Sequence, residues 1–138
     1  MNNVEYDIFE RYAEEKNIES FSYKMMGKLL ETSNVIKRIE AYKIKELYIY
    51  GGGYLGIQLY NAVKDIVTVK AVVDKNGGIS VEVDGIYSIS FDEFINVYKG
   101  ETVIITPVKY YSVIKRDLMN YIKDEDILFL GEFLEGVI

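Results

Sequence analysis

The sequence predicts an α/β fold: a mostly parallel sheet of about five strands, with a β-hairpin insertion and an N-terminal helical appendage. Three observations lead there. From Leu47 onward, short apolar runs alternate with segments of helical periodicity. One of those runs, Val67 to Val73, is nearly continuous in β-branched residues, as buried parallel strands are, and Thr102 to Thr106 is a further strand. Between the first run and the first helix stands a glycine turn, Gly51-Gly52-Gly53-Tyr54-Leu55-Gly56.

The elements follow in order. Before residue 45 the spacing is helical. Val4, Ile8, Phe9 and Tyr12 share one face, a second helix covers Phe21 to Leu30, and a third runs through Val35, Ile36, Ile39 and Tyr42, with Thr32, Ser33 or Asn34 as its cap. No glycine or proline linker follows, so residues 1–44 read as an appendage packed on a domain of residues 45–138. Leu47 to Tyr50 is the first strand. The helix after the glycine turn carries Ile57, Leu59, Tyr60 and Val63. The second strand ends at Asp74. Asn76-Gly77-Gly78 is a turn, and Asp84-Gly85 joins Ile79 to Val83 and Ile86 to Ile89 as a hairpin. Ser90 with Glu93 has capping-box spacing and opens a helix through Phe91, Phe94, Ile95 and Val97. Pro107 ends the strand before it. A helix from Tyr110 to Ile122 places Ile114, Leu118 and Tyr121 on one face, and Ile127 to Leu130 is the last strand.

Composition sets the limits. A chain of 138 residues suits one domain and buries enough surface to need no disulfide or metal staple. It contains no cysteine, histidine or tryptophan, which excludes thiol nucleophiles, histidine bases, Ser-His-Asp triads and Cys/His zinc sites. The net charge of -6, with no basic face, argues against nucleic acid and against anionic membrane surfaces as partners. No run is long enough to span a membrane, and the acidic N-terminus is no signal peptide. The lack of cysteine fits a cytoplasmic location.

Gly51-x-Gly53-x-x-Gly56 matches the dinucleotide-binding fingerprint. The first glycine permits a tight turn, the second lets the backbone approach a diphosphate, and the third lets helix and strand pack closely. Phosphates then sit on the helix N-terminus, where free N–H groups and the dipole favour an anion without a basic patch. Asp74 lies eighteen residues beyond Gly56, where an acidic side chain accepts hydrogen bonds from ribose hydroxyls. The competing reading is a turn that serves packing alone, with Asp74 as a strand-end cap. The candidate ligand contacts are therefore Gly51, Gly52, Gly53, Tyr54, Leu55, Gly56 and Asp74, with Tyr54 against a base or sugar. Lys75 is added as a phosphate partner or a solvated lysine. Thr106 and Pro107 end the fourth strand, as a donor and an apolar wall or as a strand terminator with a capping hydroxyl. Tyr-x-x-x-Lys spacing recurs at Tyr12/Lys16, Tyr60/Lys64 and Tyr111/Lys115, but no serine partner accompanies it, and no catalytic or metal-ligating residue is assigned.

Residues 45–130 also resemble a known group. Leu47 to Tyr60, Val72-Val73-Asp74, Asp84 to Ser90 and Val103-Ile104-Ile105-Thr106-Pro107 are similar to the opening strand and Gly-Ala-Gly-x-x-Gly turn, the second strand, the hairpin and the fourth strand of small Rossmann-like domains. Those domains belong to bacterial surface-glycan biosynthesis proteins: the C-terminal domain of sugar C-methyltransferases, the N-terminal domain of sugar acyltransferases, and the nucleotide-binding domain of polysaccharide-biosynthesis dehydratases. Gly52 stands where alanine is usual, and the loop after Asp74 is short. The resemblance implies a nucleotide or nucleotide-sugar ligand, with chemistry carried by another domain; the partners expected are an enzyme of glycan biosynthesis or a second copy in a homodimer. The alternatives are an NAD-dependent oxidoreductase or a fragment of one, a methyltransferase, whose acidic residue before the glycines is Tyr50 here, and a pure interaction protein built on the 13 tyrosines.

Overall fold

The structure, a computed structural model, describes residues 20–21, 24–28, 31–74, 81–83 and 86–135. Its elements are α1 (Thr32–Ala41), β1 (Glu46–Tyr50), α2 (Tyr54–Val63), β2 (Thr68–Val73), β3 (Val81–Val83), β4 (Ile86–Ile89), α3 (Phe91–Val97), β5 (Thr102–Ile105), α4 (Tyr111–Leu118), a 3-10 turn at Asp124–Asp126, β6 (Ile127–Phe129) and α5 (Leu130–Glu135). Residues 24–28 are also helical. The expected helix at Val4 to Tyr12, Lys75, and the turns Asn76-Gly77-Gly78 and Asp84-Gly85 lie outside the described residues. No described helix is long and apolar enough to cross a membrane.

The six strands lie in the order β3-β4-β2-β1-β5-β6. β4, β2, β1, β5 and β6 are mutually parallel, and β3 pairs antiparallel with β4 at the edge. This is a Rossmann-like α/β sheet. The hairpin is part of it, because its second strand pairs in parallel with β2. Tyr50, Val73, Ile89, Ile105 and Phe129 stand in register and mark the carboxyl edge.

Successive side chains of a strand point to opposite faces, and each face here has its own helices. Leu47, Ile49, Val72 and Ile104 pack with Val35 and Ile39 of α1, Leu59 and Val63 of α2, and Phe133 and Leu134 of α5. Tyr48, Ala71, Val73, Val103, Ile105 and Ile127 pack with Phe94 of α3 and Leu118 of α4. Met25 belongs to the first of these clusters, so residues 24–28 and α1 share one core with the sheet.

Local chemistry explains the boundaries. Ser90 accepts a hydrogen bond from the Glu93 N–H (3.2 Å) and caps α3 as the spacing predicts. α1 differs: it begins after Glu31 with no side-chain cap, and the Asn34 amide instead donates to the Leu134 carbonyl (3.5 Å). α1 closes without glycine. Lys43 takes a left-handed φ of 56°, its N–H donates to the Glu40 carbonyl, and the Ile44 N–H donates to the Ile39 carbonyl, a Schellman closure that aims the chain into β1. α4 stops at Leu118, four residues short of the expected Ile122. The last strand ends at Phe129, and Leu130, Phe133 and Leu134 form the buried face of a helix that the strand reading overran.

Tyr98 illustrates the burial on the second face. Its hydroxyl donates to the Glu101 carbonyl (2.8 Å). Its pKa is pushed up to about 12, chiefly by burial and then by the charges of Asp126 and Glu101 and by Tyr48. The fold therefore favours the neutral phenol. Its contribution is complete below the unfolded pKa of 10 and is lost as pH rises through about 12. Denaturant titrations between pH 10 and 12 are expected to show falling stability, less steeply in Tyr98→Phe. Identical slopes in the two proteins would refute the assignment.

Candidate functional site

β1 lies between β2 and β5, and the connections on its two sides diverge. α2 leaves β1 toward one face of the sheet, whereas α4 follows β5 on the other. Open α/β sheets form a crevice where the strand order reverses in this way, outside the carboxyl ends. Here it is a cleft of about 1000 Å³. Its floor and near wall are Tyr50, Gly51, Gly52, Gly53, Asp74 and Pro107; the opposite wall comes from Phe91 and from Tyr110 to Tyr121.

The glycine turn is held from both sides. The Gly51 N–H donates to the Val73 carbonyl (2.8 Å), and the Thr106 N–H donates to the Tyr50 carbonyl (3.0 Å). The Thr106 hydroxyl, almost fully buried, also donates to the Tyr50 carbonyl (3.0 Å). Gly51 has φ 110°, and a Cβ on it would stand 2.6 Å from Thr106 Oγ1 and 2.7 Å from Pro107 Cδ. A Cβ on Gly56 would collide with the Gly51 carbonyl oxygen. These two glycines are required by the protein itself. Gly53 is different. Its φ of -78° is open to any residue, and a Cβ there would meet nothing within 4 Å. It is the N-cap of α2 and offers no capping side chain of its own.

Asp74 is anchored by its N–H to the Ile89 carbonyl (3.0 Å). One carboxylate oxygen lies so close to Gly52 that a Cβ there would approach it to 2.8 Å. Asp117 stands on the opposite wall. Between them, burial pushes the Tyr50 phenol up, and the charges of Asp117 and Asp74 add to the shift. Both carboxylates therefore bear on the same stretch of floor. Tyr50, Phe91 and Tyr121 form an aromatic ladder, with ring centroids 6.5 Å apart for the first pair and 5.8 Å for the second, both edge-to-face. No lysine or arginine lines the cleft among the described residues. The Lys109 ammonium lies 5.7 Å from the centroid of the lining Tyr110 ring.

Of the sequence candidates, Gly51, Gly52, Gly53, Asp74 and Pro107 meet in the cleft. Gly56 and Thr106 support the turn from behind. Leu55 packs toward the α1/α2 core, Tyr54 is 69% exposed and outside the lining, and Lys75 is outside the described residues. Sequence reasoning missed the far wall. It put Tyr121 on the buried face with Leu118, but Tyr121 is 57% exposed and lines the cleft, because the helix ends at Leu118 and Ile122 takes the buried place. Tyr111 and Lys115 point elsewhere: the phenol donates to Glu132 (3.0 Å) and the ammonium pairs with Asp124 (3.1 Å). No cluster of three potential metal ligands occurs among the described residues.

Compared with protein-family models, curated proteins and solved structures, the chain matches none.

Proposed function

We propose that this chain binds a nucleotide or nucleotide-sugar and presents it to chemistry performed by another domain or a partner enzyme, in the manner of surface-glycan biosynthesis units. The observation that carries the reading is Gly53. Packing and backbone geometry account for Gly51 and Gly56, but neither demands glycine at 53. What glycine leaves there is open space at the N-terminus of α2, where a diphosphate would sit. Asp74, across the turn, suits a ribose hydroxyl pair.

The binding-only emphasis follows from the lining. It offers two carboxylates, an amide and phenols, and no histidine or cysteine occurs anywhere in the chain. Exposed Tyr110, Val113 and Tyr121 on the far wall leave apolar area for a partner to cover.

The test is a thermal-shift and calorimetric panel of nucleoside diphosphates, their sugar conjugates, NAD, S-adenosylmethionine and coenzyme A. A nucleotide-diphosphate ligand at 100 times its Kd is expected to stabilise the fold by about 2.7 kcal/mol. Stabilisation by none of them would leave a pure interaction protein as the better reading. NADH binding with turnover would favour an oxidoreductase.

A further inference from the structure

The far wall of the cleft has a chemistry of its own, and it bears on which nucleotide fits. This inference rests on the nucleotide reading. With phosphates at Gly53 and ribose at Asp74, the compartment left over is bounded by Phe91, Val113, Ile114, Asp117, Asn120 and Tyr121. Phe91 and Tyr121, with centroids 5.8 Å apart, together with the two aliphatic side chains, supply apolar surface for a planar ring. The only fixed charge there among the described residues is the Asp117 carboxylate. It lines the same cleft as Tyr50 and Asp74, beside the place the ribose would take.

An ionised carboxylate accepts hydrogen bonds and donates none. Uracil and thymine present one N–H between two carbonyl oxygens, so a carboxylate at that edge meets acceptors on either side. Adenine and cytosine present an exocyclic amino group, and guanine presents an amino group beside a ring N–H. We propose that Asp117 reads the base, and that the cleft takes a nucleotide whose base carries an exocyclic amino group in preference to uracil or thymine. Asn120, with both an amide donor and an acceptor, completes the edge without deciding between the classes.

The experiment measures the affinities of ADP, CDP, GDP, UDP and dTDP for the wild-type chain and for Asp117→Asn. Asp117 is exposed, so the variant is expected to fold, which circular dichroism checks. Removing a negative charge strengthens binding of every diphosphate, so the readout is the ratio between bases, in which that gain cancels. The tightest amino-bearing diphosphate is expected to exceed UDP and dTDP by about tenfold or more in the wild type. The Asn side chain donates as well as accepts, so the ratio should fall toward one in the variant. UDP or dTDP binding as tightly as the best amino-bearing diphosphate would overturn the assignment to Asp117. An unchanged ratio in the variant would do the same while leaving nucleotide binding standing. If no diphosphate binds at all, the nucleotide reading itself fails.

Discussion

Gly56→Ala is expected to destabilise the fold by about 3 kcal/mol and to lower Tm by about 10 °C. The first turn of α2 lies against the end of β1, and a methyl group on Gly56 would occupy the space of the Gly51 carbonyl oxygen. That neighbour is backbone, and it is not free to yield. The Gly51 N–H is tied to Val73, and the turn around it is pinned by the Thr106 hydroxyl. Relief would require α2 to lift from the sheet, where Leu59 and Val63 are fully buried against Leu47 and Ile49. Gly53→Ala is the matched control. A Cβ there meets nothing within 4 Å, and the substitution should cost about 1 kcal/mol or less, the usual penalty for alanine at an N-cap. Urea melts of the two variants decide the matter: equal stabilities would show that the close approach of helix and strand is not what position 56 is for.

Gly53→Asp is expected to abolish diphosphate binding while leaving the protein slightly more stable than wild type. The side chain has room, and aspartate is a good N-cap: its carboxylate accepts from the first N–H groups of α2 and complements the helix dipole, for a gain of about 0.5 kcal/mol. The same carboxylate takes the place proposed for phosphate. At a separation of about 4 Å and an effective dielectric of about 20, like charges repel by roughly 4 kcal/mol, enough for a loss of affinity of about 100-fold or more. The opposite signs matter, because a merely disrupted turn would lower stability and binding together. Calorimetry with the best diphosphate, beside a thermal melt, reads both. Retained affinity in the variant would remove the phosphate from the helix N-terminus and, with it, the main support for the proposed function.

Much of the architecture was legible because strand and helix leave different periods in a sequence. A nearly continuous β-branched run marked β2 as a strand of a parallel sheet, buried over Ala71–Val73, and Ser90 with Glu93 marked the start of α3. Where the signal is short or local it failed. α5 has six residues, fewer than two full turns, and directly follows a strand of three, so Leu130 read as strand. α1 closes with a left-handed lysine, Lys43, where glycine would have announced the end.

The near half of the candidate site was legible for the same kind of reason. Gly51, Gly53, Gly56 and Asp74 are fixed by the local mechanics of a strand, a turn and a helix, which recur at set spacings along one stretch of chain. The sequence by itself therefore determined that a parallel α/β sheet exists, that its first turn is built of glycine, and that histidine and cysteine chemistry is absent. It could not choose between that division of roles among the glycines and a turn that serves packing alone, since the choice depends on whether Thr106, Pro107, Asp74 or open space lies opposite each one. Nor could it bring Asp117 and Tyr121 to face Asp74. Those residues are more than forty positions apart and meet only because β5 inserts beside β1, so that α4 descends on the far side of the same crevice. Spacing along the chain carries the chemistry of contiguous elements, whereas the far wall of the cleft is set by strand order, which only packing in three dimensions decides.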